Sequence, residues 1–112
     1  MRRAALFAFS VAAMAAATMT ARADDAPAYT LSIRDHRFSP SQVEIPANTK
    51  VRLVIRNEDA TPEEFDSTRL RRERVIPGGS EATIYVGPLP PGTYEFIGEF
   101  HADTARGRLL VR

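Results

Sequence analysis

Between residue 24 and residue 112, Pro and Gly never let a segment of this chain run long. Pro40, Pro46 and Pro62 break it, then Pro77-Gly78-Gly79, then the six residues Gly87–Gly92 (GPLPPG). The last of these holds three prolines, which no helix interior or central strand tolerates, because each lacks an N–H and fixes φ. The segments left between the breaks alternate apolar and polar residues. An amphipathic helix would need apolar residues at i, i+3, i+4 and i+7 over several turns, and no segment sustains that period. The chain is thereby restricted to short strands.

Tyr29, Leu31 and Ile33 mark a first strand, and Asp35–Pro40 (DHRFSP) a turn carrying one buried candidate, Phe38. Val43 and Ile45 mark a second strand; Val51, Leu53 and Ile55 mark a third that ends at Asn57. Glu58–Pro62 is a polar loop, and Glu63–Ser67 a short segment centred on Phe65. Thr68–Arg74 (TRLRRER) reads as a helical turn or an irregular crossing. Ala82, Ile84 and Val86 give another strand. Thr93–Gly98 and Arg108–Arg112 form a closing pair around a loop that holds Glu99, His101 and Asp103. Roughly seven or eight short strands predict an all-β, Greek-key, two-sheet β-sandwich with antiparallel pairing. Its expected filling is Leu31, Ile33, Phe38, Val43, Ile45, Val51, Leu53, Ile55, Phe65, Ile84, Val86, Tyr94, Phe96, Leu109 and Val111.

Residues 1–23 read as a secretory signal peptide. Arg2 and Arg3 precede an apolar run from Ala4 to Met19, and Ala21-Arg22-Ala23 has the small-x-small form of a cleavage site. An uncleaved anchor is the alternative, disfavoured by the shortness of the run. One small domain, 24–112, remains. Of the 15 Lys and Arg, Arg2, Arg3 and Arg22 fall in the signal, which turns a formal charge of +1 into −2 for the remainder. That balance gives no ground for nucleic acid binding. The chain has no Cys, and Met1, Met14 and Met19 are its three methionines. Residues 24–112 therefore hold no sulfur, and an exported domain of this size is expected to manage without disulfides.

Several pieces, in order, resemble the cupredoxin family: F-S-P at Phe38–Pro40, V-E-I-P-A-N-T at Val43–Thr49, the strand Val51–Asn57, G-P-L-P-P-G-T-Y-E-F at Gly87–Phe96, and Gly107 before the last strand. Within that family, P-E-E-F-D-S at Pro62–Ser67 and G-E-F-H-A-D-T-A-R-G at Gly98–Gly107 are most similar to the sulfur-free, EfeO-type cupredoxin-like domains. The resemblance implies a periplasmic component of an iron uptake system, partnered by a membrane iron permease and other periplasmic uptake components. Such a protein binds iron, or binds copper and assists the oxidation of ferrous iron.

The departures from the family pattern bear on the chemistry. The family's Cys falls near Gly98 or Glu99, its axial Met near Ala105, and its first His at Glu63 or Glu64. Of the family's ligands, only His101 is matched. A blue type 1 copper centre, which needs a thiolate, is excluded. In the family's sandwich three loops meet at one end, so His36, Glu63 or Glu64, Glu99 and His101 are the expected ligands of a copper or iron ion. Imidazoles with carboxylates suit Cu(II) or iron and select poorly for Cu(I). Strand alternation puts Glu63 on the face of Phe65 and Glu64 opposite, whereas the closer family match favours Glu64; both stay open. Asp103 is the candidate partner for the His101 ring, and Asp66 and Asp103 otherwise read as surface acids.

Each of these residues also has a plainer reading. His101 could be an exposed loop histidine, His36 a turn residue beside Asp35, and Glu63 or Glu64 a solvated acid. The run Arg69, Arg71, Arg72 and Arg74 reads first as a solvated face and second as a docking patch for an acidic partner. No nucleophile motif accompanies the Ser, His and Asp residues, so there is no hydrolase signature. The rival to a metal-binding protein is a metal-free β-sandwich serving as an interaction subunit of the same transport system.

Overall fold

A computed structural model describes residues 25–112. The expected signal segment, 1–23, lies outside the described residues. The fold is all-β, in two sheets. The strands are β1 (Ala28–Arg34), β2 (Arg37–Ser39), β3 (Gln42–Ile45), β4 (Val51–Asn57), β5 (Glu63–Ser67), β6 (Arg72–Ile76), β7 (Glu81–Val86), β8 (Gly92–Gly98) and β9 (Arg106–Val111). One sheet has the order β2-β1-β4-β7 and the other β3-β9-β8-β5-β6.

The expected two-sheet sandwich is present, but its pairing is mixed rather than antiparallel. β1 runs parallel to β4, with Ala28 opposite Arg52 and Ile33 opposite Asn57. β3 runs parallel to β9. The cause is the crossing after Ser39. β3 joins the second sheet, so β4 returns to the first beside β1 in the same direction. A tight hairpin can only make antiparallel neighbours; a crossover can make parallel ones.

Two local expectations also give way. Asp35–Pro40 is not turn throughout, because Arg37–Ser39 pairs back onto β1 as β2. Thr68–Arg74 is neither a helical turn nor irregular throughout, because Arg72–Ile76 is strand β6, paired with β5. The chain reverses at Arg71, whose φ is +54°. The Ser67 hydroxyl ties this reversal down: it donates to the Glu95 carbonyl at 2.7 Å and accepts from the Leu70 N–H at 3.1 Å. Leu70, the one large apolar residue of the run, is buried in the core.

Every residue of the expected filling is buried, joined by Leu70, Ile76, Ala82 and Ala105. The centre is aromatic. Phe38 meets Phe96 edge-on at 4.9 Å, and Phe96 lies 5.0 Å from Phe65. A fully buried side chain of this class stabilises the fold by about 1.5–3 kcal/mol. Gly107 faces this cluster from β9: a Cβ there would lie 2.4 Å from the Phe96 ring, so only glycine fits. The inner faces thus close tightly just below the end of the sandwich where β5 begins and β8 ends.

Candidate metal centre

Three loops meet at that end. The first is the β1–β2 turn, whose two central residues, Asp35 and His36, have φ of +51° and +58°. Positive φ at both positions is the type I′ pattern that matches strand twist across a two-residue hairpin. For residues other than Gly it costs about 1–2 kcal/mol each, so something must offset it. Asp59, on the β4–β5 loop, does so. Its Oδ1 accepts from the Asp35 N–H at 2.8 Å and its Oδ2 from the His36 N–H at 3.0 Å.

The second loop is held by Asn57, the last residue of β4. Its side chain is buried; it donates to the carbonyls of Thr61 and Ile76 and accepts from the Asp59 N–H at 3.1 Å. The third loop follows β8. It opens with a single 3-10 turn, Glu99–His101, and closes with the Ala105 N–H bonded to the His101 carbonyl at 2.8 Å.

Glu63, the first residue of β5, is 1% exposed. Phe65 points inward, and alternation carries Glu63 to the same face. Its Oε2 lies 2.6 Å from His101 Nδ1, while its Oε1 accepts from the N–H groups of Phe100 and Glu64, both at 2.9 Å. The partner of the His101 ring is therefore Glu63, not Asp103. Space for the carboxylate exists because residue 98 has no side chain. A Cβ on Gly98 would sit 2.6 Å from Glu63 Cδ and 2.6 Å from the Ala105 Cβ.

The His36 ring lies on the His101 ring, with centroids 3.6 Å apart and planes 11° from parallel. His36 Nδ1 is 3.4 Å from Asp59 Oδ2, an ion-pair distance longer than a hydrogen bond. Each imidazole thus turns Nδ1 toward a carboxylate. In a neutral ring that makes Nδ1 the donor and leaves Nε2 with its lone pair, the arrangement in which carboxylates orient metal-binding histidines.

Asp59 is pulled two ways. Burial works against its ionisation, but hydrogen bonds from the His36 and Asp35 N–H groups, with the two histidines nearby, outweigh burial and hold its pKa below 3.8.

The structure brings together His36, Glu63 and His101 of the expected set, and adds Asp59. No hydrogen bond or ion pair joins the side chain of Glu64 or Glu99 to either imidazole. Glu64 stands on the outer face, where partial burial and then the negative charges of Glu73, Asp66, Glu99 and Glu63 raise its pKa above 4.5. Among the described residues, no group of three or more His, Asp and Glu side chains forms a ready cage for a metal ion. Imidazole Nε2 donors suit Cu(II) or iron ions, but the two rings as stacked do not converge on a single ion. A thiolate copper centre does not fit, since Glu63 fills the space a side chain at 98 would need.

The chain matches the cupredoxin-like domain family over residues 5–111. It is 47% identical over 81 residues to "Uncharacterized protein RP394" of Rickettsia prowazekii (strain Madrid E), covering 72% of this chain and 65% of that protein. The chain thus spans slightly less than two thirds of that relative's length. Among solved structures, auracyanin A of Chloroflexus aurantiacus superposes with a TM-score of 0.66 at 12% identity, covering 76% of this chain and 98% of that one. The metal-binding domain of the Streptococcus pneumoniae Cu(I)-exporting P-type ATPase CopA does so at 0.65 and 13% identity, covering 76% and 84%. At such identities the likeness is one of fold. With the match across nearly its whole length, the chain belongs to the cupredoxin-like domain family.

Proposed function

We propose that this is a periplasmic metal-binding protein that handles copper or iron for an iron uptake system, beside a membrane iron permease. The observation that carries the reading is the 2.6 Å contact between buried Glu63 and His101 Nδ1. A buried carboxylate that fixes an imidazole and leaves its Nε2 free at the surface is what a metal ligand requires. The likeness in fold to auracyanin A, a blue copper protein, and to a CopA domain solved with Cu(I) supports a metal-binding role. His101 is the anchoring ligand and His36 the second. Glu63 is the positioning carboxylate, and Glu64 and Glu99 stand outside as weaker candidates for entering ions. The metal would be either cargo, as iron, or a resident copper ion held by His101 and His36 that would supply redox chemistry for the oxidation of ferrous iron.

Calorimetric titration of Cu(II) and Fe(II) into the wild type and His101→Ala tests this. Binding by the wild type, weakened at least about tenfold in the variant, is the expected result. A metal-free interaction subunit of the same transport system is the second reading, favoured by the absence of a three-ligand group among the described residues. A wild type that takes up neither metal would establish that reading instead.

A further inference from the structure

The rings of His36 and His101 cannot share one metal ion as they stand. An imidazole lone pair lies in the plane of its ring, and these planes are 11° from parallel with centroids 3.6 Å apart. No ion can lie in both planes. One ring must turn, and the contacts decide which. His101 is held at 2.6 Å by Glu63, and its side chain is 28% exposed. His36 is held at 3.4 Å and is 42% exposed. His36 is the ring that turns.

Its backbone, by contrast, is fixed on both sides. The Asp59 carboxylate takes the N–H groups of Asp35 and His36 at 2.8 and 3.0 Å, and the Thr104 hydroxyl donates to the His36 carbonyl at 2.6 Å. Thr104 belongs to the same loop as His101, so the two histidines are tied to each other through the main chain. Asp59 is itself anchored: its N–H donates to buried Asn57, and its carbonyl accepts from the Gly79 N–H at 2.9 Å. The β1–β2 turn has positive φ at two non-glycine residues and would not hold its shape for nothing.

We propose that Asp59 is a positioning residue of the metal centre: it fixes the pivot of His36 so that this ring rests on His101 without metal and turns in place to offer Nε2 beside that of His101. The inference rests on the metal-binding reading above. It gives Asp59, whose two carboxylate oxygens are taken up by backbone N–H groups, a larger influence on binding than Glu64 or Glu99. The two N–H groups use different oxygens of Asp59, so Asn in the same pose, with one oxygen replaced by NH2, serves one of them, and Ala serves neither.

The test has two arms, both on the chain from residue 24. In the first, metal-free wild type, Asp59→Asn and Asp59→Ala are compared by NMR. The wild type should show contacts between the two imidazole rings and the Nδ1–H tautomer for both. Asp59→Ala should lose the ring-to-ring contacts while His101 keeps its tautomer, with Asp59→Asn intermediate. Ring contacts that persist unchanged in both variants overturn the clamp. In the second arm, Cu(II) is added and the coupled nitrogens are counted by electron paramagnetic resonance.

Two nitrogens are expected in the wild type and one in His36→Ala and Asp59→Ala. Affinity should fall about tenfold in Asp59→Ala, with no further loss when His36→Ala is combined with it. Two nitrogens and wild-type affinity in Asp59→Ala overturn the proposal. A wild type that binds no Cu(II) overturns the metal reading and the role of Asp59 toward a metal, while the first arm still decides whether Asp59 holds the ring pair. Should Asp59→Ala fail to fold, Asp59→Asn and Thr104→Val, which removes the opposite tie, carry both arms.

Discussion

Replacing Glu63 with Ala is the sharpest test of how the functional end of this sandwich is held. The Glu63 carboxylate accepts from the Phe100 N–H, the Glu64 N–H and His101 Nδ1, and its side chain is 2% exposed. Truncation strands all three donors and opens a void against Gly98 and Ala105. Leaving a buried donor without its acceptor costs about 1–3 kcal/mol. His101 is 28% exposed and water can reach it, so the low end for each of the three donors, about 3 kcal/mol in all, is expected. For a domain of this size about 3 kcal/mol lowers Tm by about 12–24 °C. Glu63→Gln keeps an oxygen for the two backbone N–H groups but loses the charge and the acceptor facing His101 Nδ1, so it should fall between Ala and the wild type. Thermal denaturation followed by circular dichroism, with Glu64→Ala as the control, gives the readout. If Glu63→Ala melts no lower than Glu64→Ala, the carboxylate is not the keystone of the three loops.

Four further outcomes follow from the same contacts. Gly98→Ala should destabilise by about 1–3 kcal/mol through overpacking against Glu63 and Ala105, and pairing it with Glu63→Ala should recover part of that loss in a double-mutant denaturation cycle. Glu44 and Glu64 should respond to pH with opposite signs. The bidentate bond to Arg112, with contacts of 2.7 and 2.9 Å, holds the Glu44 pKa below 4.5, so its stabilisation is present above that value and lost as pH falls through the folded pKa. The Glu64 pKa is raised, so its protonated form favours the fold and that contribution is lost as pH rises from 4.5 through the raised value. Tm measured at pH 3 and pH 7 should therefore drop at pH 7 for Glu44→Gln and rise at pH 7 for Glu64→Gln. Copper-loaded protein should show only weak visible absorption, because no thiolate is available for an intense charge-transfer band; a strong blue colour would contradict the ligand inventory. Exported protein should begin at Asp24, and an intact mass that retains Met1 would point to an anchor.

The sequence by itself determined the strand class, the inner face and the exclusion of thiolate chemistry. Those properties are local. Period-two alternation assigns an inner face to the strands it marks, and the residues so assigned, from Leu31 to Val111, are buried. Alternation also put Glu63 on the side of Phe65, where it is found. The tertiary structure alone decided what depends on residues far apart in the chain. The parallel pairing of β1 with β4 follows from the crossing after Ser39, which no local pattern announces. The strand β6 follows from its pairing with β5 and from Ser67 securing the reversal, against a charged sequence that looks helical or irregular. The partner of His101 lies 38 residues away, not two, because a carboxylate at the start of an inward-facing strand reaches the space left by Gly98. Asp59 sits in a stretch that reads as polar loop, and its role comes from two N–H groups more than 20 residues before it. Burial is written in the order of residues along one strand; which carboxylate meets which imidazole is settled only when three separate loops close over the same end of the sandwich.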